Sequence, residues 1–334
     1  MRREALLILS CPRCKKGLAL LEERGVEDEV VDGTLKCESC GRSFPIVNGV
    51  PRMIADLADR KDLAESWGFQ WAKVAEGRLE TDTYYGETET EELASFFNYM
   101  GLSAGDLRGK TVLDAGCGCG RLTRALGQYA AQVYGIDIAS SIERIHESCK
   151  TAQNVHIIQA DIVDPPFKDN SFDFVFCKLA VCYTRQPQQT FNRLSKLVKP
   201  NGRLFISVPD KASLAFVVKL KDLLRITHRI PRGLLLYTSW GFAPLLSLAK
   251  MIARNPATSV RSNAFFLFNA LHPSFMTRHT LQEVVSWFEG GDFQEITPVT
   301  SGMSHLAHVR GTKRELVTAV RTKSNSGSIQ ESPD

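Results

Sequence analysis

Two groups of residues in this chain have types and spacings that could do chemistry. Cys11 and Cys14 ("CPRC") and Cys37 and Cys40 ("CESC") form two C-x-x-C pairs separated by 22 residues. Each pair can present two thiolates from one tight turn, and two such turns complete a sulfur tetrahedron around zinc. All four ligands would come from the chain, making the site closed and structural; a redox pair or four buried cysteines is the alternative reading. The second group is "LDAGCGCGRLTRAL", Leu113 to Leu126, in which Gly116, Gly118 and Gly120 follow Asp114. Alternating glycines leave the backbone bare, so a bulky ligand can lie directly against it. A dinucleotide fingerprint would need glycine where Arg121 sits, and a phosphate-binding P-loop would need Gly-Lys-Ser/Thr at its end.

Elements that could position these groups follow from the periodicity. The chain has 334 residues and a net charge of +4, enough for one large or two modest domains and too little charge to prove a nucleic-acid partner. Nine cysteines, an odd number, without a convincing export signal point to reduced thiols or metal ligands and a cytoplasmic protein. Residues 1–55 read as a unit built around the cysteine pairs, too small for a comfortable core without a metal. Residues 56–100 form a connector rich in acids and aromatics, among them Trp67, Trp71, Tyr84 and Tyr85. Residues 101–312 read as one domain, in which β-rich runs alternate with helical patterns from Lys110 to Pro209, the mark of a parallel sheet covered by helices. Strands are expected at "TVLDAG", "AQVYGIDI", "VHIIQA", "FDFVFCK" and "GRLFISVP", with two more near "FQEITPV" and "HLAHVRG". Residues 210–275 interrupt that rhythm with apolar and basic helical stretches, and 313–334 read as a disordered tail.

Two resemblances extend this reading. "LLILSCPRC" through "GTLKCESCGRSFPIVNGVPRMI" is similar to the small zinc-ribbon proteins that activate tRNA and rRNA methyltransferases, over residues 5–54. The D-x-G-x-G-x-G stretch resembles motif I of class I S-adenosylmethionine (SAM) methyltransferases. Together they imply an α/β protein: a Rossmann-like, seven-stranded class I methyltransferase sheet with an N-terminal zinc-ribbon domain and a helical lid insert at 210–275. The implied cofactors are SAM and a structural zinc ion. By the same resemblance, Asp114 supports the glycine loop and the methionine end of SAM. Asp137, ending "YGID", accepts from the ribose hydroxyls, and Ile138 lies against adenine. Asp161 stands beside the adenine amino group, with Ile162 lining the ring.

Methyl transfer is a displacement that mainly requires alignment and exclusion of water, with a base only where the acceptor starts protonated. Many small-molecule members of the family carry a His-His pair after the fourth strand, where this chain reads "AVCYT". Tyr183 and His279 are therefore the catalytic candidates, each with a packing or helix-capping role as its alternative. Cys182 has nothing nearby in sequence to activate it. Residues 211–261 hold nine Lys or Arg against the single acid Asp222. Within them, "GLLLYTSWGFAPLLSLA" suits an interfacial or buried helix better than a membrane span. These helices either close over the cofactor or also touch an anionic membrane or an amphipathic acceptor. The leading expectation is an enzyme methylating a small or amphipathic molecule, lipid- or glycan-linked acceptors included. An RNA methyltransferase and a SAM-binding regulator are the alternatives, RNA being disfavoured because the basic residues sit beside long apolar runs.

Overall fold

A computed structural model of the protein describes residues 1–26, 28–79, 87–211, 227, 230–252, 259–274, 276–300 and 306–315. Tyr84 and Tyr85, five of the nine basic residues of 211–261 (Lys219, Lys221, Arg225, Arg229 and Arg254), and the tail from 316 onward lie outside the described residues.

The N-terminal unit is an antiparallel meander of β1 (Ala19–Val26), β2 (Glu29–Lys36), β3 (Ser43–Val47) and β4 (Val50–Pro51). Two helices follow, α1 (Leu57–Ala75) and α2 (Glu89–Met100). Thr88 starts α2 with a reciprocal capping box to Glu91, and Gly101 ends it in the left-handed conformation. Then come β5 (Thr111–Ala115), α3 (Arg121–Leu126), β6 (Gln132–Asp137), α4 (Ile142–Cys149), β7 (Val155–Gln159), β8 (Phe172–Lys178), α5 (Pro187–Leu197) and β9 (Val198–Pro209). The remaining elements are α6 (Arg232–Ile252), α7 (Val260–Leu271), α8 (Leu281–Glu289), β10 (Phe293–Pro298) and β11 (Leu306–Lys313). Among the described residues, no helix is long and apolar enough to cross a membrane.

The seven expected strands form one sheet, ordered β10-β11-β9-β8-β5-β6-β7. Strands β5 to β9 pair in parallel, while β11 runs antiparallel to both β9 and β10. Every residue of β7 and the last four of β5 are buried, as strands covered on both faces must be. On one face, α2 lays Phe96 against Phe176 and stacks Tyr99 on Phe205. Toward the C-terminus, β11 lies between β10 and β9 and runs through Lys313, into the stretch expected as a disordered tail, and the Arg314 N–H donates to the Asp292 carbonyl.

The meander docks on the free edge of β7. The Met53 N–H donates to the Gln159 carbonyl at 2.7 Å, and Arg52 forms a parallel bridge with Gln159. Leu9 bridges Phe167, and the Ser10 N–H donates to the Pro166 carbonyl. Leu9, Leu35, Phe44, Ile46 and Met53 share one hydrophobic core with Tyr134, Ile158 and Phe167. The two units therefore have a continuous interior rather than two separate ones. Phe167 is fully buried at that seam, with edge contacts to Tyr134 and Phe172. Phe167→Ala should cost about 3–5 kcal/mol, read as a lowered urea midpoint. The loss should show equally in probes of either unit, because both line the resulting cavity.

Candidate functional site

The four N-terminal cysteines converge. Cys11 Sγ lies 3.6 Å from Cys40 Sγ and Cys14 Sγ 3.4 Å from Cys37 Sγ, and all four sulfurs fall within 4.8 Å of one another. A zinc–sulfur bond of about 2.3 Å gives a tetrahedron with edges of about 3.8 Å, so the four ligands fit the ion. The two turns repeat one geometry. The Lys15 N–H donates to the Cys11 carbonyl and the Gly41 N–H to the Cys37 carbonyl, both at 2.9 Å. Lys15 and Gly41 share the left-handed φ that closes such a turn, 60° and 72°.

The second site lies at the C-terminal ends of β5, β6 and β8. Gly116, Gly118 and Gly120 all have positive φ, 86°, 57° and 77°. A side chain there would also collide with its surroundings: a Cβ on Gly116 would sit 2.4 Å from Ala180 Cβ, and one on Gly118 3.0 Å from the Trp71 ring. Asp137 fixes the loop from the next strand. Its Oδ2 accepts the Gly118 N–H and its Oδ1 the Ala139 N–H, each at 2.9 Å. Burial pushes its pKa up to about 6, against the backbone N–H groups that favour the charge. Asp114 lies under the loop, accepts from Thr123 Oγ1 at 2.7 Å, and is pushed by burial up to about 7. Asp161, also raised by burial, accepts the Val163 N–H at 2.9 Å and pairs with Arg60 Nε at 2.9 Å.

Gly116, Asp137, Ile138, Asp161, Ile162 and Tyr183 line one cleft. Asp114 and Gly116 line an adjoining recess together with Glu92, Arg121 and Lys178. There Arg121 Nε pairs with Glu92 at 2.8 Å and Lys178 Nζ with Glu87 at 2.8 Å, four side chains that the sequence reading did not single out. His279 does not line the cleft. Its Nδ1 faces Glu283 at 3.3 Å, its ring meets Trp287 edge-on, and Thr280 beside it caps α8. Cys182 is fully buried, donates to the Leu179 carbonyl and has its thiol pushed up by burial, which leaves it inert.

The cleft's other wall comes from α1. Leu63, Trp67 and Trp71 line it, Trp67 meets the Tyr183 ring edge-on at 4.7 Å, and the Ser140 N–H donates to the Ala64 carbonyl. The one signal of this in the sequence is the density of aromatics between 56 and 100. A hydrogen-bonded path also joins the N-terminal unit to Asp137. Arg52 Nη1 donates to Gln159 Oε1 at 3.2 Å, Gln159 Nε2 donates to the Ala139 carbonyl at 3.0 Å, and the Ala139 N–H holds Asp137. Arg52 is braced by Glu143. Because the metal-centred unit shares its core with the sheet, zinc removal should be felt across the chain. Native mass spectrometry should find one zinc ion per chain. Chelation should lower Tm by more than about 5 °C in a single transition recorded from either unit.

Two parts of the chain match known protein families. Residues 113–206 match the methyltransferase domain family, and residues 2–49 match the Trm112p-like protein family. The ubiquinone biosynthesis O-methyltransferase of Coxiella burnetii is 30% identical over 129 residues, 38% of this chain and 55% of that protein. The Xanthomonas oryzae protein of the same name is 30% identical over 131 residues, with the same shares covered. The chain thus spans about half the length of the curated relatives it matches. Among solved structures, magnesium protoporphyrin IX methyltransferase from Synechocystis with bound S-adenosylhomocysteine is similar with a TM-score of 0.47 at 14% identity, covering 77% of this chain and 99% of that one. A complex of the Haloferax volcanii Trm112 methyltransferase activator with its putative methyltransferase has a TM-score of 0.39 at 15% identity, covering 78% and 96%. The two family matches thus fall on separate parts of the chain, the Trm112p-like one on the cysteine-bearing N-terminal unit and the methyltransferase-domain one on the stretch from β5 to β9.

Proposed function

We propose that this chain is a SAM-dependent methyltransferase acting on a small or amphipathic acceptor. The observation that carries the reading is one cleft in which a bare glycine loop, two strand-end carboxylates and an aromatic wall meet. When bound, SAM supplies a methyl group on a positively charged sulfur that leaves as a neutral thioether. Everything else is positioning by the chain. Asp137 spends one lone pair of each oxygen on backbone N–H groups, and the remaining pairs accept the ribose hydroxyls. Ile138 and Ile162 take the adenine faces, and Asp161, held by Arg60, accepts from its amino group. Asp114, Gly118 and Gly120 keep the loop in shape for the methionine end. Trp67 and Trp71 exclude water from the reacting atoms.

Tyr183 stands in the cleft wall across from Trp67, and we assign it to orienting the acceptor. An acceptor hydroxyl, the type implied by the name of the Coxiella and Xanthomonas relatives, must also give up a proton; Tyr183 receives it only as the phenolate, its own proton having first passed to solvent, and otherwise serves to orient the acceptor. The ribbon's part is to brace the end of β7 through Met53 and Arg52, keeping Asp137 and Asp161 in register.

Two measurements test the reading. Radiolabelled methyl transfer from SAM into cell extract, separated into lipid, small-molecule and RNA pools, should place label in the first two. Label confined to RNA contradicts the acceptor class, and Tyr183→Phe should lower transfer about 10-fold or more without changing cofactor affinity. The second is pH dependence. With its folded pKa raised, Asp137 contributes stability that is fully present below its unfolded value of about 3.9 and lost as pH rises through about 6. Cofactor binding runs oppositely, since only the ionised carboxylate keeps all its acceptor sites. Calorimetry should find S-adenosylhomocysteine affinity falling as pH drops through about 6. Asp137→Asn should bind weakly with that step removed; unchanged affinity would contradict the assignment.

A further inference from the structure

The sulfur of SAM is bonded to the ribose, to the methionine side chain and to the methyl group it gives away. It must therefore lie between the stations that hold its two ends. Here those stations are Asp137 and Asp114, and Gly116 lines both the cleft that contains the first and the recess that contains the second. The carboxylates around that point already have partners. Asp137 holds two backbone N–H groups, and Asp161 pairs with Arg60. In the recess Glu92 is matched by Arg121 and Glu87 by Lys178, while Asp114 accepts from Thr123. A positive sulfur entering here needs a partner other than a carboxylate.

Two indole rings stand on the wall that α1 supplies. Trp67 and Trp71 lie one helical turn apart and line the cleft together with Gly116, Ala180 and Tyr183. Their rings are nearly parallel, at 19° with centroids 6.0 Å apart. Trp71 comes closest to the glycine loop: a Cβ on Gly118 would lie 3.0 Å from its Cζ2 and 3.2 Å from its Cη2. The indole thus rests on the residue whose N–H is held by Asp137. It is also fixed from behind, being 5% exposed and sharing a core with Leu235, Phe265 and Phe268. Its helix is pinned as well. The Ala64 carbonyl accepts the Ser140 N–H at 2.9 Å, and a Cβ on Gly68 would fall 2.1 Å from Ser140 Oγ, so only glycine lets α1 approach this closely.

An aromatic ring is negative over its face, and indole attracts a cation more strongly than the other aromatic side chains do. The attraction grows where water is excluded, as in a cleft walled by α1. We propose that Trp71, with Trp67 beside it, recognises the positive charge of the sulfonium and biases this site toward SAM over S-adenosylhomocysteine. The inference rests on the methyltransferase reading and deepens it. Donor and spent product differ by one methyl group and one charge, so a wall that reads charge loosens its hold once the sulfur has become a neutral thioether.

The test is calorimetry of the zinc-loaded chain with SAM and, separately, with S-adenosylhomocysteine. The ratio of the two affinities cancels what the ligands share. Trp71→Leu, which keeps an apolar side chain without a ring, should shift that ratio about 5-fold or more toward S-adenosylhomocysteine. Trp71→Phe, which keeps a weaker ring, should fall between the parent and Trp71→Leu, and it decides the question if the leucine variant does not fold. A ring that only fills space would weaken both ligands together; an unmoved ratio in the folded variants overturns the proposal. The two readings separate cleanly. A parent that binds both ligands, with a ratio that neither substitution moves, leaves the methyltransferase assignment standing and removes this one, whereas a parent that binds neither ligand removes both.

Discussion

The carboxylate of Asp137 ties together the parts on which this molecule depends. One oxygen holds the glycine loop through the Gly118 N–H, and the other holds the turn after β6 through the Ala139 N–H. Burying a carboxylate is costly, and its pKa rises to about 6 even with these donors in place. Such a group persists where surrounding structure fixes its partners. Here the fixing comes from two sides: α3 and Asp114 below the loop, and Gln159 at the end of β7. Gln159 is in turn held by Arg52 from the ribbon. A metal-stabilised unit some distance along the chain thereby helps shape the cleft.

That arrangement gives a physical reason for the ribbon to be fused to the sheet. An exposed edge strand such as β7 offers unpaired backbone groups and half a core. The ribbon covers that edge, contributes Leu35, Phe44 and Ile46 to the shared interior, and brings its own rigidity from zinc. On the opposite side of the cleft, α1 and α6 form a less regular wall, with tryptophans toward the cofactor and exposed apolar side chains, Leu245 and Leu248 among them, toward the outside.

What could be read from sequence was whatever depends on local spacing. The four cysteines lie in two short turns, so one cluster was the leading reading of their spacing over a redox pair or four buried thiols, and the structure brings the four together. The glycine loop and the carboxylates Asp114, Asp137 and Asp161 sit at strand ends whose periodicity is plain, and the structure brings them to one edge of the sheet. The seven strands were legible for the same reason. Contacts made across long stretches of chain were not. Arg60 meets Asp161, and Trp67 and Trp71 line the cleft, only because α1 folds back onto the turn after β6, and Arg52 meets Gln159 across 107 residues. His279 looked suited to catalysis by type, yet its place beside the α8 cap turns it toward Glu283 and Trp287. In α6, composition alone left open which side would be buried. The answer came from the Lys250–Asn263–Ser247 contacts, which draw the polar residues inward.

The most direct test of the account is a crystal structure of the zinc-loaded chain with S-adenosylhomocysteine. It should show both ribose hydroxyls within hydrogen-bonding distance of Asp137, adenine between Ile138 and Ile162, and the homocysteine end over Gly116 toward Asp114. A ligand seated elsewhere, or an Asp137 that keeps only its two backbone donors while the ligand is bound, would contradict it.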